Sequence, residues 1–348
     1  MKKTDYIVVG CGLAGIAFCE QLVQHKRSFV VFDNQSQQSS AVAAGVYNPV
    51  ILKRFTEVWK AKDQLALAIP FYKNLEHKLQ VRLDYQLPVY RRFASVEEQN
   101  DWFTASDKPN LQSYLSPLLI KNRNPSLIAP LGFGKVLPTG RIDTKCLLMN
   151  YKNHLKETDQ YFNETFDYDK LIMEEGQLNY KDIKSNQIVF AEGFGMSQNP
   201  FFNKLPLNVA KGEIITIKAP DLKIDYILKS SIFVIPEGND IYSVGATYNW
   251  NDKTNNITEA AKEEMLMQLK QLITCDFKVV GQVAGIRPTV RDRRPLVGIH
   301  SEHRNMAILN GLGTRGVMIA PYVAKQLFEH IEFGNALDME ININRFSK

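Results

Sequence analysis

Two glycine-rich segments, one near each end of the chain, have the composition of turns that bind a ligand through the backbone. The first carries Gly10, Gly12 and Gly15 in the spacing GxGxxG, between an apolar run at 7–9 and a helix expected over 16–24. In such a turn one glycine permits the sharp bend, one lets the backbone approach a pyrophosphate, and one lets the helix pack on the strand. The phosphates would lie on free N–H groups at the positive end of the helix. We therefore expect this segment to bind a dinucleotide.

Asp33 stands where a nucleotide-binding turn of this kind has its acidic residue. It ends a second apolar strand, FVVFD, and lies 18 residues after Gly15. A carboxylate at that point accepts a hydrogen bond from the ribose 2′-hydroxyl and repels a 2′-phosphate. The residue therefore disfavours NADP, and the motif leaves NAD and FAD open.

The second segment, NGLGTRGVMIAP at 310–321, has the same make-up although it lies near the C-terminus. Gly311, Gly313 and Gly316 follow a short predicted strand and precede a helix expected over 317–332, with Arg315 at the tip of the turn. The N-terminus of a helix favours negative charge, because its first N–H groups have no partner within the helix. This segment therefore predicts a second ligand contact.

The composition is that of an ordinary soluble globular protein with two modest domains, or one domain with a large insertion. The chain has 348 residues, 45% of them hydrophobic and 23% charged, and its net charge of +5 is spread along the sequence. Scattered charge of this size is not by itself the footprint of a nucleic-acid-binding protein. Four cysteines without CxxC spacing favour a reducing compartment, so we expect a cytoplasmic protein.

We expect neither a membrane segment, nor a leader peptide, nor a metal site. No apolar run reaches the length of a membrane span. Asp5 before the first apolar run, the glycines within it and Glu20 after it argue against a signal peptide. His300 and His303 have no third ligand at metal-binding spacing.

The segments between the two glycine-rich turns predict a second domain. Three of them, GEIITIKA, SIFVIPEG and DIYSVGATYNW, alternate in the manner of antiparallel strands that are packed on one face. Helices are expected over about 55–79 and 259–272, and another behind an N-cap at Asp143. The short apolar strand in SNQIVFAEGFG would join the sheet beside the nucleotide.

Several segments, taken in order after the first glycine motif, resemble one superfamily along essentially the whole chain. They are SAVAAGVYNP, NQIVFAEGFG, YSVGATYNW, AGIRPTVRDRRPLVG and NGLGTRGVMIAP. In these the sequence resembles the FAD-dependent D-amino-acid oxidase and glycine oxidase superfamily, above all the oxidase half of the bacterial bifunctional enzyme that matures the wobble uridine of tRNA. The resemblance implies an FAD-dependent enzyme that oxidises the C–N bond of a secondary amine or amino acid.

The fold that the resemblance implies is α/β. A Rossmann-like FAD-binding domain would consist of residues 1–85, 139–205 and 281–348, and an inserted α+β substrate domain, built on an antiparallel sheet, of residues 86–138 and 206–280. The FAD would be bound non-covalently, because no cysteine lies near Arg287 in the sequence. The chain starts at the FAD motif, so we expect no methyltransferase part and favour a small-molecule substrate over tRNA.

The resemblance also implies roles for individual residues. Arg287, in GIRP, would bind a substrate carboxylate, and Arg315, in GTRG, would lie at the end of the flavin next to the substrate. The adenosine and pyrophosphate would contact the first turn and Asp33, while the flavin would lie along the second turn and a loop of small residues. The expected cofactor contacts are Gly10, Gly12, Gly15, Asp33, Ala43, Ala44, Gly45, Gly193, Gly195, Gly313, Thr314, Arg315, Gly316 and Val317.

The expected chemistry is hydride transfer from the carbon beside the nitrogen to N5 of the flavin, followed by hydrolysis of the imine. Backbone N–H groups at 314–317 would stabilise negative charge on the reduced ring. Arg287 suits a carboxylate because a guanidinium binds it bidentately, and the alternative is an ion pair with a carboxylate such as Asp292. Tyr248, with Trp250, would cover the substrate or else pack on one face of its strand.

One position departs from the family pattern. Where several members have a tyrosine before the IP dipeptide, this chain has Phe233 and Val234, so a tyrosine clamp on the substrate is not expected.

Two alternatives to a small-molecule amine oxidase stay open: removal of a carboxymethylaminomethyl group from uridine in tRNA, and a flavin-binding module without turnover.

Overall fold

The structure, a computed structural model, describes residues 2–174 and 176–346. Within these ranges the α-helices are α1 (Leu13–Gln24), α2 (Ala61–Leu79), α3 (Val96–Ser106), α4 (Thr144–Glu157), α5 (Glu259–Lys270) and α6 (Gly316–Phe333). The strands are β1 (Lys2–Val9), β2 (Phe29–Phe32), β3 (Val46–Tyr47), β4 (Val50–Ile51), β5 (Thr56–Glu57), β6 (Asp84–Tyr85), β7 (Val89–Arg92), β8 (Phe133–Val136), β9 (Gly140–Ile142), β10 (Tyr161–Phe162), β11 (Leu171–Glu174), β12 (Gln177–Tyr180), β13 (Ile183–Phe190), β14 (Ala210–Lys218), β15 (Ile227–Lys229), β16 (Phe233–Gly238), β17 (Ile241–Gly245), β18 (Lys278–Arg287), β19 (Leu296–Ile299) and β20 (Met306–Asn310).

The first large sheet has eight strands around a parallel centre. Strands β10, β2, β1, β13 and β20 are parallel neighbours in that order. Its central strands are continuous apolar runs because both faces are covered. Helices α1, α2, α4 and α6 contribute to the core on one face, and an aromatic cluster that includes Phe32, Phe166 and Tyr180 covers the other.

The two glycine-rich turns meet at one edge of this sheet. The first connects β1 to α1 and the second connects β20 to α6, and the carboxyl ends of parallel strands lie at the same edge. A Cβ atom built on Gly316 would lie 3.1 Å from Cδ1 of Leu13 at the start of α1. The close packing of the two helices therefore brings both N-termini to one place.

The second large sheet has seven strands in the order β18-β14-β17-β16-β15-β7-β8. Neighbouring strands are antiparallel except for β15 and β7, which are parallel. It combines strands from two separate parts of the chain, as an inserted domain requires. Its apolar face packs against α5 through Met265 and Leu269 in one cluster with Ile215 and Val244.

The structure moves several predicted boundaries. Strand β18 pairs with β14 as far as Arg287, so the domain boundary predicted at 281 falls inside a strand. The helix expected from residue 55 begins at Ala61, because residues 56–57 pair with β4. The N-cap at Asp143 is present: its carboxylate accepts a hydrogen bond from the N–H of Cys146 at 2.9 Å.

Candidate active site

A cavity of about 530 Å³ lies where the two large sheets meet, a size within the usual range of ligand pockets. Its wall includes all of the predicted site residues except Gly15, namely Gly10, Gly12, Asp33, Ala43, Ala44, Gly45, Gly193, Gly195, Tyr248, Arg287, Gly313, Thr314, Arg315, Gly316 and Val317. Gly15 lies behind the wall, where a Cβ atom would overlap the carbonyl oxygen of Gly10. The fold therefore brings predicted site residues from both ends of the chain into one cavity.

The first turn offers free backbone donors to the cavity. Gly12 is the N-cap of α1, and as a glycine it has no side chain to cap the first turn of the helix. Ser40 partly takes this place, since its Oγ accepts a hydrogen bond from the N–H of Leu13 at 3.2 Å. An uncapped helix N-terminus that lines a cavity fits a phosphate.

Asp33 has partners that the sequence did not reveal. Its carboxylate lies 2.6 Å from Nζ of Lys152 on α4, and the hydroxyl of Tyr161 on β10 donates to the same Oδ2 atom at 3.1 Å. These contacts fix the orientation of the carboxylate at the end of β2. A carboxylate has about four acceptor positions, and these two contacts both use Oδ2, so about two positions remain for a ribose hydroxyl.

The loop that contains Gly45 needs its glycine for a reason other than the expected approach to a ligand. Gly45 has φ +70°, and a Cβ atom there would overlap the carbonyl oxygen of Ile142 on β9. The loop is thus pressed onto β9 in a left-handed conformation that favours glycine. Ala43 and Ala44 present only small side chains to the cavity.

The second turn is fixed to the first sheet and leaves its helix uncapped. Asn310 donates from Nδ2 to the carbonyl oxygen of Gly193 at 2.9 Å, which joins two predicted cofactor-binding segments. No side chain caps α6, whose N-cap residue is Arg315. With α1, the cavity therefore has two helix N-termini, a ribose-type carboxylate and small residues, a donor set that fits a dinucleotide such as FAD.

Arg287 lies in the cavity wall without a carboxylate partner among the residues that the structure describes. Its Nη1 donates to the carbonyl oxygens of Thr247 at 3.2 Å and Lys211 at 3.4 Å, and its Cζ lies 4.4 Å from the ring centroid of Tyr248. Burial lowers the pKa of this guanidinium, and the neighbouring Tyr248 acts in the opposite direction. The alternative pair with Asp292 is not formed, because Asp292 binds Arg345 at 2.8 Å.

Two glycines on neighbouring strands allow a close approach: Gly212 makes room for the guanidinium of Arg287, and Gly285 makes room for Val42. Gly212 on β14 and Gly285 on β18 are cross-strand partners, and a Cβ atom on Gly212 would overlap the terminal atoms of Arg287. The side chain of Arg287 therefore lies flat over β14. Glycine within a strand pattern often marks such a close approach, so the signal was present in the sequences AKGE and AGIRP.

Arg315 and Tyr248 lie in the same cavity as Arg287. Burial lowers the pKa of Arg315 as well, Tyr248 opposes this effect, and Arg293 adds to it. Arg315 forms no ion pair with a described carboxylate. Tyr248 is 58% exposed and Trp250 is 52% exposed, so neither is the buried strand residue of the alternative reading.

A buried ion pair lies on β14, the strand over which the side chain of Arg287 lies. Lys211, only 1% exposed, lies 2.6 Å from Asp252 and 3.4 Å from Glu213, which makes it a structural lysine. Glu213 also accepts hydrogen bonds from the N–H and hydroxyl of Thr258 at 2.9 and 2.8 Å. The pair joins β14 to the segment after Tyr248, and the carbonyl of Lys211 is itself an acceptor for Arg287.

The sequence reasoning missed four contributors to the site: Ser40, Lys152, Gly212 and Lys229. Lys229 lines the cavity from β15. Each is placed by long-range pairing of elements, and only Gly212 leaves a local sequence signal.

The described residues give no sign of two other kinds of site. Across 2–174 and 176–346, no three His, Cys, Asp or Glu side chains are grouped so that they could bind a metal ion. Across the same residues no helix combines the length and the apolar character that crossing a bilayer requires.

The parallel sheet, the two helix N-termini and the carboxylate of Asp33 define a dinucleotide-binding protein. A model of the protein family described as FAD dependent oxidoreductase matches residues 5–330, and the chain belongs to this family. The predicted superfamily, the α/β fold and the FAD cofactor are confirmed. The protein is therefore a member of the FAD-dependent oxidoreductases.

Curated relatives match the chain at modest identity. The chain is 26% identical over 147 residues to glycine oxidase of Bacillus subtilis, an alignment that covers 40% of this chain and 39% of that protein. It is 25% identical over 314 residues to the tRNA 5-methylaminomethyl-2-thiouridine biosynthesis bifunctional protein MnmC of Campylobacter jejuni, which covers 86% of this chain and 46% of that protein. The chain thus spans less than half the length of these curated relatives.

Solved structures share the fold at low identity. Glycine oxidase from Geobacillus kaustophilus superposes with a TM-score of 0.82 at 18% identity, with all of both chains covered. Iminodiacetate oxidase from Chelativorans sp. BNC1 superposes with a TM-score of 0.75 at 18% identity over 96% of each chain.

The position of Gly212 leads to a first prediction. In Gly212→Ala the new methyl group displaces the guanidinium of Arg287, so we expect the affinity for small carboxylates to fall about tenfold or more, while FAD content is retained. Gly281→Ala is the matched control on the same sheet, because a Cβ atom there meets Thr216 at an ordinary 3.7 Å. Calorimetric titration of the FAD-loaded variants measures the affinity, and equal affinity in both variants contradicts the prediction.

The buried Lys211 leads to a second prediction. Lys211→Met leaves the carboxylate of Glu213 buried without its cation, so we expect the free energy of unfolding to fall by roughly 3 kcal/mol in urea titrations. The double variant Lys211→Met/Glu213→Gln should recover part of this loss, because it removes the unpaired charge. Lys218→Met, an exposed change on the same strand, is the control. A loss no larger than that of the control refutes the structural role of the pair.

Proposed function

We propose that the protein oxidises the C–N bond of a secondary amine or amino acid that carries a carboxylate. The observation that supports this most is the guanidinium of Arg287, which lies in the cavity without a carboxylate from the described chain. A guanidinium holds its charge at any working pH and binds a carboxylate in two parallel hydrogen bonds. The substrate would supply the missing anion.

The residues that would bind FAD lie mainly in the two glycine-rich turns. The N-terminus of α1 would hold the pyrophosphate, Asp33 the ribose, and Gly313 to Val317 would contact the ring with the positive end of α6. When bound, FAD supplies a two-electron acceptor for the hydride from the carbon beside the nitrogen. The imine product then takes up water and divides into a carbonyl compound and an amine.

The charges around the substrate would favour its reactive form. Arg287, Arg315 and Lys229 line the cavity, whereas the acids of its wall already have partners: Asp33 binds Lys152, Glu164 binds Lys181 and Glu192 accepts from Tyr168 and Asn199. A cationic environment lowers the pKa of an ammonium group. The substrate nitrogen would therefore lose its proton to water on binding, and no base from the chain is needed.

The carboxylate would also fix the orientation of the substrate. Bidentate binding by Arg287 leaves little rotational freedom, and Tyr248, stacked on the guanidinium, closes one side of the cavity. Phe233, at the place of the family tyrosine, gives the cavity an apolar surface in place of a hydroxyl. Positioning of this kind is worth several kcal/mol of the barrier.

A second candidate function uses the exposed aromatic rim. Tyr248 and Trp250 are more than half exposed, and Arg291 and Arg293 lie on the surface without an ion pair to a described residue. Exposed aromatic rings stack on nucleobases, and unpaired arginines bind phosphates. The rim thus favours tRNA with a carboxymethylaminomethyl uridine as a substrate of the same oxidation.

The role of Arg287 leads to a third prediction. In Arg287→Ala we expect kcat/KM for a carboxylate-bearing amine to fall by on the order of 30- to 1000-fold, about 2–4 kcal/mol, with the same amine as its neutral amide much less affected. Arg294→Ala, which removes a surface pair with Glu340, is the control. Equal losses for the acid and the amide would show that Arg287 does not bind the carboxylate.

The rim leads to a fourth prediction. If tRNA is the substrate, Trp250→Ala should weaken tRNA binding by about 1–3 kcal/mol, and the affinity should fall steeply as salt is raised. The measurement is fluorescence anisotropy with hypomodified tRNA, followed by nucleoside analysis after incubation with the enzyme. If Trp250→Ala binds tRNA as tightly as the unaltered protein, and incubation leaves the nucleoside composition of the tRNA unchanged, the tRNA function is rejected. The small-molecule proposal is not affected by that result.

A further inference from the structure

Lys229 presents a second cationic group to the cavity that contains Arg287. It is the last residue of β15, and its neighbours in the wall are the apolar side chains of Ile227, Val89 and Phe233. Its Nζ donates to the carbonyl oxygen of Ser231 at 3.3 Å. No carboxylate of the described chain lies within ion-pair distance of this ammonium. A half-buried cation with one weak hydrogen bond lacks most of its solvation.

The charged groups that face Lys229 do not supply an anion. Arg91 on β7 is its cross-strand partner, and it is already bound by Glu98 on α3 and by the carbonyl oxygen of Ser230. On the other side β16 presents Phe233. Burial, reinforced by the charge of Arg91, lowers the pKa of Lys229 to about 8.

The separation of the two cationic groups sets the length of a ligand that could bridge them. The guanidinium of Arg287 lies over Gly212 on β14, and β14 is three strand-to-strand steps from β15. At about 4.8 Å a step, and with long side chains that lean into one cavity, the two charges are on the order of 10–15 Å apart. A single small carboxylate cannot contact both.

We propose that Lys229 is a second anion-binding residue, and that the substrate is an amine with two acidic groups, one bound by Arg287 and a distal carboxylate or phosphate bound by Lys229. This inference rests on the proposed function, since it takes Arg287 as the site of the first carboxylate. It assigns the apolar wall between the two cations to the carbon chain that joins the acidic groups. The substrate class is then a long diacidic amine, and not glycine or another small amino acid.

The test uses probes that cannot be oxidised. Alkane-α,ω-dicarboxylates from succinate to dodecanedioate, and monocarboxylates of the same chain lengths, are titrated into the FAD-loaded protein by calorimetry. We expect a dicarboxylate from the longer half of the series to bind at least tenfold more tightly than the monocarboxylate of equal length. In Lys229→Met this ratio should fall to about one, and in Lys229→Arg most of it should return.

Lys218→Met is the matched control, an exposed lysine on the same sheet, and it should keep the ratio of the unaltered protein. ω-Phosphonocarboxylates of the best length distinguish the two kinds of distal anion: tighter binding than the dicarboxylate assigns a phosphate, and weaker binding assigns a carboxylate. A ratio near one in the unaltered protein, or a ratio that Lys229→Met leaves unchanged, overturns the inference.

The pH dependence of the unaltered protein gives a second test that needs no variant. Because the pKa of Lys229 is lowered to about 8, its ammonium is charged below that pH and neutral above it. Both carboxylates of the probes stay ionised throughout, and a guanidinium keeps its charge over this range. The preference for dicarboxylates should be constant below about pH 8 and fall by up to tenfold per pH unit above it. A preference that is flat to pH 10 contradicts the inference.

The outcomes separate this inference from the proposed function. If the dicarboxylate preference depends on Lys229 but no amine reduces the enzyme, the two-anion site stands and the oxidation of such amines falls. If amines are oxidised but the preference is absent, the proposed function stands and the role of Lys229 falls.

Discussion

The guanidinium of Arg287 is the interaction on which the site depends. Removing a cation from water costs several kcal/mol, and within the chain this guanidinium gains only hydrogen bonds to two carbonyl oxygens and a contact with the face of the Tyr248 ring. The guanidinium can lie here because Gly212 has no side chain. The buried ion pair of Lys211 with Asp252 fixes β14, the strand over which the guanidinium lies. Because the described chain supplies no carboxylate to Arg287, the proposed binding of an anionic substrate would offset this electrostatic cost.

The two large sheets contribute different parts of the cavity wall. The parallel sheet leads into two helices without a side-chain cap from their N-cap residues, and their positive ends would favour the anionic parts of FAD. The hydrogen bond from Asn310 to Gly193 joins the second turn to the segment after β13. The other sheet contributes Arg287 and the apolar wall of the cavity. The packing of Gly316 against Leu13 makes the two helix ends adjacent, so a turn near the C-terminus and one near the N-terminus line one cavity.

What the sequence could predict is what depends on local pattern. The GxGxxG turn, the apolar parallel strands and the N-cap at Asp143 follow from neighbouring residues, and the ordered motifs together indicated the FAD-dependent family. The partner of Asp292 could not be predicted, because the competition between Arg287 and Arg345 is decided by packing of distant elements. The burial of Lys211 could not be predicted either, because its partners Asp252 and Glu213 are brought to it by the pairing of β14 with other parts of the chain. Long-range register, and not propensity, decided these cases.

The central claim is that Arg287 binds the carboxylate of the substrate inside the cavity. The most direct measurement is a crystal structure of the FAD-loaded protein with a carboxylate-bearing amine, determined under anaerobic conditions. The account predicts both carboxylate oxygens within hydrogen-bond distance of the guanidinium of Arg287, with the amine carbon toward the α6 end of the cavity. A ligand bound elsewhere, or Arg287 turned away to a protein carboxylate, would contradict it.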